Sequence, residues 1–200
     1  MLVLQATSPR SASVCARRRT ECGFTLLELM VAVAVVRIVA AIGYPSMTAI
    51  ITSNRLGAAT NEMVATLQLA RLEAVRLNRT VTVCRSDDGV TCSAGTVWDG
   101  WITVADLDRD GAVDDVLRTS EVPAAVQLRA STAIENGRIA FRSDGLAHAR
   151  GGSPLNASVA VCVPTDGAVD NQRLISIGAG SRISTRSENK GGQCDAPGNS

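Results

Sequence analysis

Residues 24–44 form an apolar run broken only by Thr25, Glu28, Arg37 and small residues. Beyond Pro45 the pattern becomes periodic. Leu56, Met63, Ala70 and Leu77 recur at heptad spacing, with Thr60, Leu67 and Ala74 between them. That spacing draws one apolar stripe along a helix, and Asn54, Asn61 and Gln68 fall on the opposite face. The pattern predicts a helix from Phe24 to about Asn78. After Asn78, short β-branched runs alternate with Gly, Asp, Pro and Ser, which predicts strands at 80–85, 98–105, 125–129, 138–142, 158–163 and 173–177, with an edge strand at 182–186. A long helix followed by consecutive strands reads as an α+β fold, an antiparallel sheet packed on the helix. Only five aromatic residues occur in 200, so Val, Leu, Ile and Ala must build the core, with Trp98 and Trp101 as its anchors.

The stretch Gly23-Phe24-Thr25-Leu26-Leu27-Glu28-Leu29-Met30-Val31 places one carboxylate inside the apolar run, behind an Arg17-Arg18-Arg19 cluster. An acid in a hydrocarbon segment is costly and marks a functional position. The stretch closely resembles the class III signal of type IV pilins and type II secretion pseudopilins. The resemblance implies cleavage by a prepilin peptidase between Gly23 and Phe24, N-methylation of Phe24, and docking into a filament through Glu28. It divides the chain into a leader (1–23), a membrane-spanning assembly helix (24–45), an amphipathic continuation (46–79) and a β-rich head (80–200). A run of this length suits one membrane span, and the arginines before it hold that end in the cytoplasm, leaving the head in the periplasm. Pro45, where the family bends its long helix, also fits. Arg37 departs from the family, which has an apolar residue there. Nine residues from Glu28, it faces the other side of the helix and cannot easily pair with it; it reads as a tolerated charge that snorkels or draws in water, with an acid on a neighbouring subunit as the alternative partner.

Four arginines and one glutamate would leave with the leader, taking the formal charge from +1 to about −2. The mature body is therefore not globally basic, which argues against strong non-specific nucleic-acid binding by its whole surface. Cys15 and Cys22 would leave as well. Cys84, Cys92, Cys162 and Cys194 remain, and in a periplasmic body they read as two disulfides. Three pairings are open; joining Cys84 to Cys92 closes a short loop around Asp87-Asp88-Gly89 and leaves Cys162 to tie down the tail through Cys194.

Catalytic chemistry finds little support. Asp106-Leu107-Asp108-Arg109-Asp110-Gly111 imitates the start of a calcium loop, but Leu117 stands where an EF-hand needs a bidentate Glu, so a solvated acidic hairpin is expected and no metal. Gly151-Gly152-Ser153 and Gly178-Ala179-Gly180 lack a phosphate-loop context and read as turns. His148 lies in a polar stretch with no evident Cys or acid beside it. The C-terminal stretch carries Arg173, Arg182, Arg186 and Lys190 against Glu188 alone. Arg182, Ser184 and Arg186 alternate, so in a strand they share one face, where two guanidiniums could grip phosphates or simply protect an edge.

Beyond the signal, Trp98-Asp99-Gly100-Trp101-Ile102-Thr103-Val104, the acidic loop after it, and Arg138-Ile139-Ala140-Phe141-Arg142 before Asp144-Gly145 are similar to the FimT/GspH branch. That resemblance implies a long helix carrying a β-rich domain, with no catalysis and no cofactor. Its partners would be other pilins, the prepilin peptidase and the inner membrane. FimT-like minor pilins prime or cap type IV pili, and some bind DNA for uptake through Gly-Arg-x-Arg near the C-terminus. Here Gly180-Ser181-Arg182 displaces that pattern, so Arg182 carries over best, with Arg186, Arg173 and Lys190 as further candidates. GspH-like pseudopilins of type II secretion are the alternative.

Overall fold

A computed structural model describes residues 24–108, 114–165 and 170–200, with the side chains of 42–46 and 179 outside the description. Gly23, Arg109, Asp110 and Gly111 lie outside the described residues, as does the arginine cluster before the signal. The chain falls into two units, Met1–Ile42 and Gly43–Ser200, each taken here by itself.

One long helix, α1 (Leu26–Leu77), contributes to both units. In the first unit its start is fixed by Thr25, whose Oγ1 accepts the Glu28 N–H at 3.2 Å. Thr25-Leu26-Leu27-Glu28 has the spacing of a capping box, and the acid in the first turn suits the helix dipole. Every described side chain from Phe24 to residue 41 is exposed.

In the second unit α1 buries the predicted stripe. Leu56, Met63, Leu67, Ala70 and Ala74 are fully buried in the principal core. Two hydroxyls on or near that stripe are satisfied within the helix, Thr60 Oγ1 on the Leu56 carbonyl (2.6 Å) and Thr66 Oγ1 on that of Glu62 (2.9 Å). This is how a helix tolerates Thr against an apolar core. The helix closes on Asn78 at φ 53°, with Arg79 N–H returning to the Ala74 carbonyl and Asn78 N–H to that of Val75. That is a Schellman end built on Asn in place of Gly.

The strands are β1 (Thr80–Arg85), β2 (Val97–Trp98), β3 (Gly100–Asp106), β4 (Asp115–Glu121), β5 (Gln127–Ala130), β6 (Arg138–Phe141), β7 (Ala147–His148), β8 (Ala157–Cys162), β9 (Gln172–Gly178) and β10 (Arg182–Glu188). They form two antiparallel sheets where one was expected: β4-β3-β1-β6-β7 and β10-β9-β8-β5-β2. Val81, Val83, Ile139 and Phe141 from the first sheet meet Val159, Val161, Ile175 and Ile177 from the second in the same core as the helical stripe.

The two sheets arise where the predicted strand 98–105 breaks. Trp98 and Trp101 are an odd number of residues apart, so an unbroken strand would point them to opposite faces. Both are buried. The chain turns at Asp99-Gly100, sending β2 to one sheet and β3 to the other. A Cβ on Gly100 would sit 3.2 Å from the carbonyl oxygens of both Ser86 and Ser120, so only glycine lets the backbones approach so closely. Trp101 Nε1 donates to Thr66 Oγ1 of α1 at 3.2 Å.

Two strands escape the sequence pattern. β4 is a charged edge strand, tied to α1 where Arg118 and Ser120 reach Glu62 Oε1 at 2.7 and 2.9 Å. The Ser120 hydrogen bond, aided by Arg118 against partial burial, holds the Glu62 carboxyl below its usual range. β7 contains His148, which is therefore not in a loop. Nor is it without an acid: Nε2 lies 3.3 Å from Asp144 Oδ2, while Nδ1 meets the Gly152 carbonyl at 2.9 Å. Asp144 arrives there because its other oxygen accepts the Leu146 N–H in the tight β6–β7 turn. Ala125, expected in a strand, has φ 69° and belongs to the turn before β5.

Disulfides join Cys84 to Cys92 and Cys162 to Cys194, closing loops of very different size (separations 8 and 32). The first encloses a loop organised by Asp88, whose carboxylate accepts from Ser86, Val90 and Thr91. The side-chain hydrogen bond from Thr91, with the others, holds it far below the usual carboxylate range. The second bridge fastens the C-terminal segment, which also gives Ser200 Oγ to the Ile177 carbonyl and takes the Ala133 N–H on Asn199 Oδ1. In the chain-entropy picture the longer loop stabilises by ~3–4 kcal/mol and the shorter by ~2–3 kcal/mol. Urea unfolding followed by tryptophan fluorescence checks this. The Cys162→Ser/Cys194→Ser pair is expected to lose more stability than Cys84→Ser/Cys92→Ser, and the reverse order would contradict the assignment.

Candidate functional site

Two regions carry the residues singled out by sequence. The first is the N-terminal end of α1. Phe24, Leu26 and Leu27 are 81%, 76% and 74% exposed, and Leu29, Met30, Val31, Val35 and Val36 continue in the same way. An apolar surface of this extent is an interaction surface by its chemistry. Glu28 sits on it, one turn into the helix, and Arg37 lies on the same segment. Among the described residues no helix is long and apolar enough to cross a membrane; the described side chains of this run stop at residue 41.

The second region is the outer face of the second sheet. Register fixes its composition: Arg182 lies opposite Gly178, Ser184 opposite Ser176, Arg186 opposite Leu174, and Glu188 opposite Gln172. Ser176 in turn lies opposite Ser158 on β8. Together with the segment 195–200 these residues line a groove of about 820 Å³. Arg182 and Arg186 share its wall, four residues and so roughly 13 Å apart along β10. Lys190 also lines it.

The basic residues are not equivalent. Arg186 Nε reaches Glu188 Oε1 at 2.8 Å, and Lys190 Nζ lies 3.4 Å from Glu188 Oε2. Burial works to raise the Glu188 pKa, but the hydrogen bond from Arg186 and the charge of Lys190 outweigh it, and the carboxyl stays below its usual range. Arg182 is exposed and its guanidinium makes no hydrogen bond or ion pair among the described residues, so it is the freest cation of the group. Arg173 does not join them. Strand alternation puts it on the other face of β9, where its guanidinium donates to Ser187 Oγ.

Ser181, the residue that displaces the expected Gly-Arg order, has a structural task. It is buried at φ 57°, its hydroxyl accepts the Ala147 N–H at 2.5 Å, and its carbonyl takes Arg71 Nη1 of α1 at 3.3 Å. The turn before β10 is thus pinned to both the first sheet and the helix, and this fixes where Arg182 emerges. Nothing in residue spacing announces that role.

The acidic loop between β3 and β4 brings the carboxylates of Asp106, Asp108 and Asp114 within 4.8 Å of one another, with Asp114 joining the two described acids of the sequence motif. Asp114 Oδ2 also accepts the Leu107 and Asp108 N–H groups, at 2.5 and 3.2 Å. Among the described residues, one oxygen each from the half-buried Asp106 and the exposed Asp108 and Asp114 is well short of the six to eight that calcium takes, and Leu117 sits in β4.

The family model described as Type II transport protein GspH matches residues 59–181, and that of the prokaryotic N-terminal methylation motif matches residues 18–44. The first model stops one residue before β10. Among solved structures, the chain is similar to the type IV minor pilin FimU of Pseudomonas aeruginosa, at 23% identity over 66% of this chain and 92% of that one, with a TM-score of 0.48. It is also similar to the minor pseudopilin EpsH of the Vibrio cholerae type 2 secretion system, at 10% identity over 66% of this chain and 97% of that one, TM-score 0.48. No curated protein matches the chain. With a family model that runs from the buried half of α1 to the turn before β10 and a methylation motif ahead of it, the protein belongs to the GspH family and is a pilin-like, non-enzymatic protein.

Proposed function

We propose that this protein is a minor pilin of a type IV pilus. It is made as a precursor, cut between Gly23 and Phe24 by a prepilin peptidase, N-methylated on Phe24, and held in the inner membrane by one span with its head in the periplasm. The observation that carries this reading is the bare apolar surface of residues 24–41. Each large side chain there stands to gain roughly 1.5–3 kcal/mol on leaving water. Lipid before assembly and neighbouring pilin helices after it provide that burial. Glu28 then becomes a carboxylate in an apolar setting, where it needs a cationic group from a neighbouring subunit. That need makes assembly directional and selective.

A pseudopilin of type II secretion would use the same segment. The disulfide-fastened tail and the basic face of β10 support the pilus, where a head at the surface must survive outside the cell. Glu28→Ala is expected to leave the protein in the membrane while reducing its amount in sheared pili at least tenfold, measured by immunoblot against the major pilin. Normal loading of the variant would sink the proposal.

A second reading follows from the groove at β10. Arg182, Ser184 and Arg186 on one wall present donors at a spacing that suits alternate phosphates of an extended strand. The proposal is DNA capture by this face. Filter binding of single-stranded DNA by the full chain in detergent, across a salt series, should show a log–log salt slope that falls by ~1.4 in the Arg182→Gln/Arg186→Gln variant. An unchanged slope, or no binding at low salt, rejects it.

A further inference from the structure

The two disulfides fasten their segments very differently. The Cys84–Cys92 loop is held by more than its bridge. Asp88 accepts from Ser86, Val90 and Thr91, Arg85 reaches the Asp87 carboxylate and the Ala94 carbonyl, and Thr119 Oγ1 donates to the Gly89 carbonyl. Past Cys194 the chain is hydrogen-bonded, among the described residues, only at its far end. There Asn199 Oδ1 accepts the Ala133 N–H at 3.2 Å and Ser200 Oγ donates to the Ile177 carbonyl at 2.8 Å. Between these anchors the segment crosses β8 from end to end, because Cys162 ends that strand and register sets Ile177 opposite Ala157 at its start. The crossing explains a burial that alternation alone does not. Ala157, Val159 and Val161 face the core, yet Ser158, Ala160 and Cys162 on the opposite face are buried as well.

The bridge that starts this crossing is asymmetric. Cys162 is fully buried, whereas Cys194 is half-buried. Asn171, also fully buried, points Nδ2 at Cys162 Sγ (3.5 Å) and at the Gln193 carbonyl (3.1 Å), while its Oδ1 accepts the Lys190 N–H (2.7 Å). The Gln193 carbonyl lies 3.3 Å from the same sulfur. A bridged sulfur has no proton to give that oxygen, but a free thiol has. The surroundings of Cys162 therefore suit a thiolate or a thiol as well as a disulfide, and they do not depend on any residue past Gln193.

We infer that residues 194–200 are a strap that thiol–disulfide exchange releases from the outer face of the second sheet. A dithiol reductant supplies the electrons. One of its thiolates attacks Cys194 Sγ, the accessible sulfur, and Cys162 leaves as a thiolate stabilised by the Asn171 N–H. The reductant's second thiolate then displaces Cys194 from the mixed disulfide. The reductant ends as its own disulfide, and its two protons end on Cys162 and Cys194. Two distant hydrogen bonds are too little to hold the freed segment against its conformational entropy. Release bares Ala160 and Leu174 and removes one wall of the β10 groove, which residues 195–200 line. The bridge thus sets whether that groove has two walls or one.

The test uses the full chain in detergent, its free thiols first blocked with iodoacetamide, and treats it with dithiothreitol or, separately, with reduced glutathione. Peptide mass spectrometry maps the sulfurs that open. Cys162–Cys194 is expected to open about tenfold faster than Cys84–Cys92, with the glutathione adduct on Cys194. Hydrogen exchange reads the strap through the Ala133 amide, whose acceptor is Asn199. That amide should exchange about tenfold faster once the bridge is open, while amides of β1 and β9 keep their protection and show the head still folded. Equal opening rates, an adduct on Cys162, or unchanged Ala133 exchange after opening would overturn the inference. So would loss of protection across both sheets, because the bridge would then hold the fold and not a strap. None of these readouts involves DNA or pilus loading, so the strap and the proposed function can fail separately.

Discussion

Burial of a single helical stripe is the interaction on which the rest of the structure depends. Leu56, Met63, Leu67, Ala70 and Ala74 leave no part of themselves exposed, and both sheets close over them. With so few aromatic residues, the core has little else of comparable size to organise it. Trp101 links the two ends of the arrangement, packing in the core while its indole N–H is satisfied by Thr66 of the same helix. Because the helix supplies one wall of the core, most strands need only one apolar face, the exceptions being β3 and β8, which are buried on both. The outer faces of the others are then free to carry charge.

That freedom is used unevenly. On the second sheet the outer face is a polar groove under the disulfide-fastened C-terminal segment, with Arg182 and Arg186 on one wall. On the first sheet, Arg138, Arg142 and Arg150 rim a second groove toward β7. A chain whose formal charge is only +1 thus presents strongly charged patches at short range, where salt screens least. Recognition by this head is therefore a matter of local contact. The apolar segment at residues 24–41 carries charge only at Glu28 and Arg37, so under the proposed function attachment and recognition by the head are separate tasks on one chain.

The helix was legible because its heptad spacing is long and strict, and the strands around Val and Ile runs were legible for the same reason. What stayed hidden was hidden by physics that spacing does not encode. β4 is an edge strand with little to bury, so it lacks the apolar alternation that announces a strand. The break at Asp99-Gly100 depends on backbones meeting at Gly100, although the odd spacing of Trp98 and Trp101 was a clue. His148 gained its acid only because a turn folds Asp144 back on it. At the basic face, alternation placed Arg182 with Arg186, yet only the register of β9 shows that Arg173 faces away. Glu188 was visible as the opposing charge, but its hold on both Arg186 and Lys190 was not.

The central claim is that residues 24–41 become the free N-terminal assembly segment of the mature subunit. Intact-mass spectrometry of the protein recovered from membranes tests it most directly. The account predicts a chain that begins at an N-methylated Phe24, lacks residues 1–23, and is four hydrogens lighter for its two disulfides. A chain that retains the leader, or one cut beyond Glu28, would contradict it.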